Sequence, residues 1–364
     1  MEGKGIPVLD PNDRTSPDNG GRINTIPDLR ISTNAVQGFG YGAKGCENTE
    51  VRFGYDTKRI LTIGSNASYR YGYVLEPNSG SRAFIDSSVN FGIEPNSTVT
   101  MEQFPKNHSD NTARNNAFQI KIMTSGSGMD GYSIINEDLE NNIKEFKPDI
   151  ILIGYAVRFA TADINIFDDY VNKGGVLIMN TEYYPSSSTV LEMLQKMLRT
   201  TNLGENDHIT GSDMRFKLPT GDEHKDDPIL NGPFGDLRGK EWGSDGHSLF
   251  AMHHGTLADT KVYNNSPDFG PCFLRHYGQR TDGSNQPRAF IFNGDGGFIS
   301  NSKRYIGPKY SGMSNYCPFA IDAAYRPIPR TNFKGSPGVY NSQIFGNILA
   351  WAVDYAEEYG YNVK

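Results

Sequence analysis

Apolar runs in this chain are short and evenly punctuated, and between residues 145 and 184 they fall into one recognisable order. Ile150–Ile153 is an unbroken apolar run bounded by Lys147-Pro148 and Gly154, the pattern of a strand buried on both faces. Ile164, Phe167, Tyr170 and Val171 then recur at helical spacing, with Asp163 placed to favour the helix N-terminus. Lys173-Gly174-Gly175 stops that helix, and Val176–Met179 is a second apolar strand. Strand, helix and strand within about 30 residues predict a right-handed βαβ unit and, with it, a parallel sheet.

The same patterns predict further elements on both sides. Arg59–Gly64 is a buried strand, and the SNASYRYGY that follows reads as a long polar loop. A short helix is expected over Ser81–Asn90, strands over Thr98–Phe104 and Phe118–Met123, and a helix over Asn136–Phe146. Pro185-Ser186-Ser187-Ser188 opens a helix that runs to Arg199. Strands are expected at Ser248–Met252, Lys261–Tyr263, Cys272–Tyr277 and Arg288–Phe292. A closing helix spans Asn341–Tyr359, with Ile344, Ile348, Trp351 and Tyr355 on its buried face. Residues 1–50, rich in Pro, Gly, Asn and Asp, read as an N-terminal arm or linker. Residues 51–364 form the body, with an irregular excursion at 300–338 that is too long for an ordinary connection. The fold class is α/β: three layers, a largely parallel sheet, helices on both faces.

Composition narrows the partners. The formal net charge is −7, and the 35 Lys+Arg are scattered in no run. Nucleic acid is excluded as a partner, because phosphate neutralisation needs a concentrated basic face. No stretch approaches the roughly 18 apolar residues of a transmembrane helix. The N-terminus lacks the apolar core of a signal peptide, so the chain is either cytoplasmic or a mature part of an exported protein. Charged residues are only 21% while Gly (40) and Tyr (20) abound, a loop-rich composition that favours export. Cys46, Cys272 and Cys317 lie far apart without a CxxC or zinc spacing. Either all three are free, or Cys272 and Cys317 pair.

Open α/β sheets take ligands at the carboxyl ends of their strands. Asn66, Ser68 and Tyr69 after the first strand, Tyr155 after the central one, Glu182 and Tyr183 after the next, and Asp295 in Asn293-Gly294-Asp295-Gly296-Gly297 are the candidate ligand-facing groups. The bland alternative at each position is an ordinary surface turn. Glu182 and Asp295 could face one cleft and share general acid–base work. Asp245-Gly246-His247 and His253-His254 form the one histidine cluster, and His247 is a weak catalytic candidate. On an intervening strand, positions 247 and 253 would stand about 20 Å apart, too far for one metal, so neither metal nor cofactor is expected. Ser65 and Ser125 follow strands but lie in no GxSxG elbow. The loop Ser125–Gly131 lacks the spacing of a phosphate cradle. Tyr69, Tyr71, Tyr73, Tyr183, Tyr184 and Trp242 could stack on sugar rings or could pack loops onto the body.

Three phrases carry a resemblance: KPDIILIGY…FDDYVNKGGVLIMNTE (147–182), DPILNGPF (227–234), and RAFIFNGDGGFISN (288–301) followed by the terminal helix. In their order and spacing, residues 58–359 resemble the class I glutamine amidotransferase-like superfamily in its divergent branch. The resemblance implies the fold. In that superfamily a cysteine sits in a G-x-C-x-G turn with a downstream His and Glu. The corresponding turn here is Gly154-Tyr155-Ala156-Val157-Arg158, so the glutaminase chemistry carries over to no position. GRINTIPDLR, KRILTIGSNASYRYGY and DPILNGPFGD are further similar to an uncharacterised group of Bacteroidales surface proteins bearing fimbrillin-like or adhesin-like modules. That similarity implies export to the cell surface or periplasm, and the missing cysteine turn with the polar, aromatic loops makes a non-catalytic domain binding carbohydrate or protein in an adhesion role the first expectation. A hydrolase acting on carbohydrate or amide bonds through strand-end acids is the alternative, and a cytoplasmic small-molecule binder a third.

Overall fold

The central βαβ unit forms as the pattern predicts, in a computed structural model that describes residues 55, 57–92, 96–101, 117–126, 134, 136–181, 187–201, 203–205, 215–245, 249–253, 257–264, 270–301 and 317–363. These residues fall into two units, one drawn from 1–57 and 86–119, the other from 58–85 and 120–364. In the first, Phe91–Gly92 pairs in parallel with Val99–Thr100. The second carries the helices and nearly all of the main sheet.

In chain order its elements are β1 (Lys58–Gly64), α1 (Asn66–Tyr71), α2 (Gly80–Ile85), β2 (Phe118–Thr124), α3 (Asn136–Phe146), β3 (Ile150–Ile153) and α4 (Thr161–Asn172). β4 (Val176–Asn180), α5 (Ser187–Leu198), β5 (Thr260–Val262), β6 (Phe273–His276), β7 (Ala289–Asn293) and α6 (Asn341–Tyr359) follow. Seven strands line up as β5-β6-β7-β4-β3-β1-β2. β1, β3, β4 and β7 are parallel, in the register Ile60↔Ile150, Ile150↔Val176 and Ala289↔Val176. β6 and β5 extend the sheet antiparallel. The order of strands reverses between β1 and β3, which puts the topological switch point at the carboxyl ends of those two strands.

Strand alternation explains why β3 and β4 are apolar throughout. Leu61, Ile63, Ile151, Ile153, Leu177 and Met179 meet Ile164 and Phe167 of α4 and Leu194 and Met197 of α5 in one core. The intervening Ile60, Thr62, Leu152 and Ile178 therefore face the other way. On that side lies α6, which contacts β4. Each such side chain contributes about 1.5–3 kcal/mol by leaving water.

α6 is buried nearly all round rather than along one stripe. Its outer side receives the DPILNGPF turn: Asn347 accepts from the Phe234 amide (2.8 Å) and donates to the Ile229 carbonyl (3.0 Å). A methyl at Gly346 would meet the Phe234 ring at 2.6 Å, so the glycine is what lets the turn approach. Asp227 opens that turn by accepting from the amides of Ile229 and Leu230 (3.0 and 3.1 Å).

Several expectations shift. The segment after β1 is not a loop but the short helix α1, capped by the Ser65 hydroxyl accepting from the Ser68 amide and ended by Gly72 at φ 70°. Its apolar positions are too few to show a period, but the serine and the glycine are ordinary start and stop residues. The helix expected over Ser81–Asn90 stops at Ile85. The strand expected at Ser248–Met252 is instead Met252–His253, paired with Gly204–Glu205. Cys272 and Cys317 do not pair in a disulfide. The arm 1–50 lies outside the described residues, and no described helix is long and apolar enough to cross a membrane.

Candidate functional site

The switch point is held shut by the chain's own residues. β1 ends at Gly64, and α1 begins one residue later, directly over the end of β3. The Ser65 and Ser68 hydroxyls both donate to the Tyr155 carbonyl, Ser65 at 3.3 Å. A Cβ at Gly154 would lie 2.3 Å from Val74 Cγ1, so the Val74 side chain fills the space a larger residue would need. The Tyr73 ring meets the Tyr155 ring edge-on, with centroids 5.6 Å apart.

Ala156 follows Tyr155 with φ 58°, in the left-handed region that side chains other than glycine enter at a cost of about 1–2 kcal/mol. A strained strand-to-helix turn of this sort lifts a nucleophile clear of the sheet. Here the turn lifts a methyl group, buried with Ala67 of α1, Tyr155 and Tyr73. Burial and then the neighbouring Asp295 push the Cys272 thiol well up, the condition of an inert cysteine.

Beside this turn two carboxyl groups converge. Asp295 is fully buried just beyond β7. It accepts from the Ser244 hydroxyl (3.2 Å), the Gly297 amide (3.3 Å) and the Asp245 amide (3.4 Å). Asp245, 7% exposed, accepts from the Tyr73 hydroxyl. Gly296 and Gly297 make the convergence possible, since Cβ atoms there would run into Tyr155 (2.7 Å) and the Asp245 carboxyl (2.1 Å). Burial first, and the Asp245 charge second, push the Asp295 carboxyl well above the usual range, while Lys334 pulls weakly the other way. A second carboxyl in a dry site works against ionisation of the first, so the two effects add at Asp295. Next to it, Asn180 and Asn293, register partners at the ends of β4 and β7, have Nδ2 groups without a partner among the described residues.

Of the candidates from the sequence, Ser68, Tyr155 and Asp295 thus come to the switch-point rim. Asn66 is exposed on α1, where its backbone N–H donates to the Gly126 carbonyl (3.3 Å). Tyr69 points away, donating to the Met123 carbonyl (2.6 Å), and burial raises its pKa. Trp242 stacks on Phe216 in the core (centroids 4.6 Å apart) and offers no sugar platform. Glu182, Tyr183, Tyr184 and His247 lie outside the described residues. The acid that meets Asp295 among the described residues is Asp245, which the sequence singled out only within the histidine cluster. Among the described residues no cluster of three or more His, Cys, Asp or Glu could hold a metal ion. The double glycine after Asp295 was the one signal for the convergence: it marks a turn onto which other side chains close.

No protein-family model matches this sequence, and no curated protein does. Among solved structures, the mmIFT52 N-terminal domain is similar over 65% of this chain and 86% of its own, at 9% identity and a TM-score of 0.36. A ThuA-like protein from Bacteroides uniformis is similar over 76% of this chain and 94% of its own, at 11% identity and a TM-score of 0.38. At those scores neither likeness bears on function.

Proposed function

We propose that this chain is a non-catalytic domain of an exported, surface-attached protein, with a binding or adhesion role toward carbohydrate or protein. The observation that carries the proposal is Ala156. Its backbone keeps the left-handed geometry of a nucleophile-bearing turn, yet the side chain is a methyl group sealed under Ala67 and Tyr73. Strain of that kind persists when the surroundings enforce it, and its chemical use is absent here. Export is supported by the low charge, the abundance of glycine and tyrosine, and the phrases similar to Bacteroidales surface proteins. The test is to incubate the purified chain with amide and glycoside substrates while following binding to the same compounds by calorimetry. Binding without turnover is expected; turnover would overturn the proposal.

A second reading is a hydrolase acting on carbohydrate or amide bonds, and the Asp245–Asp295 pair favours it. An acid that holds its proton beside one that accepts from Tyr73 is the arrangement general acid–base catalysis uses. Turnover abolished by Asp245→Asn, with the fold intact, would establish it.

A further inference from the structure

If the rim is closed, a binding domain needs another surface, and the second unit carries one. Between α4 and α5, roofed at one end by the loop after β6, runs an open groove of about 750 Å³. Among its described lining residues Ile164 is the one apolar side chain; the rest are hydroxyls, amides and four charged groups. The aliphatic stems of these polar residues supply apolar surface between their heads, so the groove suits a ligand that presents apolar and polar faces together.

Several of its polar groups are held in place. Asp168 accepts from Arg288 at 2.6 Å and lies 3.7 Å from the Lys196 amine. Arg288 itself is fully buried, also donates to the Met197 carbonyl (3.1 Å), and has an Nε without a partner among the described residues. Arg199 donates to the Asn172 side chain at 2.8 Å and to the Gln279 carbonyl, and Asn172 also accepts from the Thr281 amide (3.3 Å). A buried guanidinium is a poor way to gain stability, as an apolar residue of similar size would serve as well or better. What Arg288 does secure is the orientation of Asp168 at the groove floor, together with the neutralisation of its charge.

We propose that this groove is a saccharide-binding site. Sugar hydroxyls donate and accept from adjacent atoms, and the groove presents acceptors (Asp168, Glu192) and donors (Lys196, Arg199) side by side, with Asn165 and Gln195 able to do both. Because Asp168 and Arg199 are already held, little side-chain freedom is lost on binding. With Asp168 neutralised by Arg288, Lys196 and Arg199 outweigh Glu192, so the groove accepts neutral sugars and sugars bearing a carboxylate alike.

The inference rests on the binding reading above and names its site. The test is calorimetry on the full chain with maltoheptaose, cellohexaose and trigalacturonate. At least one is expected to bind, and Asn165→Ala and Lys196→Ala should each weaken it about tenfold with little change in melting temperature. Trigalacturonate alone binding would mean that Lys196 and Arg199 meet a carboxylate; the neutral sugars binding would mean that they meet hydroxyls. The inference is overturned if none of the three binds, or if the variants bind as the parent does. The last result would leave a binding domain whose site lies elsewhere, whereas turnover lost in Asp245→Asn would sink the binding reading itself.

Discussion

Replacing Gly154 by alanine probes whether the switch point is truly filled. The new methyl would stand 2.3 Å from Val74 Cγ1, 3.0 Å from the Tyr73 carbonyl oxygen and 3.5 Å from Ser68 Oγ. Carbon atoms rest at about 3.5–4.0 Å, so the overlap with Val74 exceeds what small adjustments absorb. Val74 is fully buried and β-branched, with little rotamer freedom. The Tyr73 carbonyl is backbone, and shifting it strains the Tyr73 amide bond to the Ser68 carbonyl (2.9 Å) and the Tyr73–Asp245 contact. Overpacking of this kind costs about 1–3 kcal/mol, and the lack of give at Val74 places Gly154→Ala toward the upper end. Urea unfolding measures the loss. The decisive comparison is the double variant with Val74→Ala, which removes the clashing methyl groups: it should be more stable than the two single losses predict by about 1 kcal/mol or more. A cost for Gly154→Ala below about 0.5 kcal/mol, or strict additivity, would show that Val74 does not occupy the switch point.

Three other outcomes follow from the same contacts. Because the Asp295 carboxyl is raised, its contribution to stability is greatest below the ordinary carboxylate range and is lost as pH rises through its folded value. Asp295→Asn removes that loss, so the melting temperature of the variant, relative to the parent, should climb from pH 5 to pH 9; parallel pH profiles would contradict it. Lys58 and Glu357 pair at 2.5 Å with both side chains 6% exposed. Lys58→Ala strands a buried carboxylate and should cost about 3–5 kcal/mol in urea unfolding, while Lys58→Met with Glu357→Leu should cost far less. Asn347→Ala deprives the Phe234 amide of its acceptor, and should loosen the DPILNGPF turn enough for proteolysis to cut it first.

How much of this was legible in the sequence depended on the length of each pattern. β3, α4 and β4 were readable because burial on both faces forces every strand residue to be apolar and a twelve-residue helix repeats its stripe. α1 was not, because six residues give less than two turns and only Ser65 and Gly72 mark its ends. The rule that ligands meet the carboxyl ends of strands named Asn66, Ser68, Tyr69, Tyr155, Glu182, Tyr183 and Asp295, of which Ser68, Tyr155 and Asp295 lie at the switch point that the observed strand order defines. Its closure was not legible. Tyr73 meets Asp245 across 172 residues of chain, and nothing local announces a contact that distant. The left-handed backbone of Ala156 was equally hidden, since alanine carries no signature of the conformation it is forced into. The α4–α5 groove escaped for the opposite reason: its polar residues read as two ordinary solvated helix faces until Arg288 was seen beneath them.

The measurement that bears most directly on the central claim is the reactivity of a thiol placed at the turn. In Ala156→Cys the new sulfur would sit where Ala67 and Tyr73 now cover a methyl group. Alkylation with iodoacetamide, followed peptide by peptide in the mass spectrometer, separates it from Cys46, Cys272 and Cys317. A folded variant whose residue 156 labels orders of magnitude more slowly than the same peptide in urea is what a sealed, inert turn predicts. Labelling at the rate of an exposed thiol would mean that the turn opens onto an accessible cleft, and the account of a closed, non-catalytic rim would be wrong.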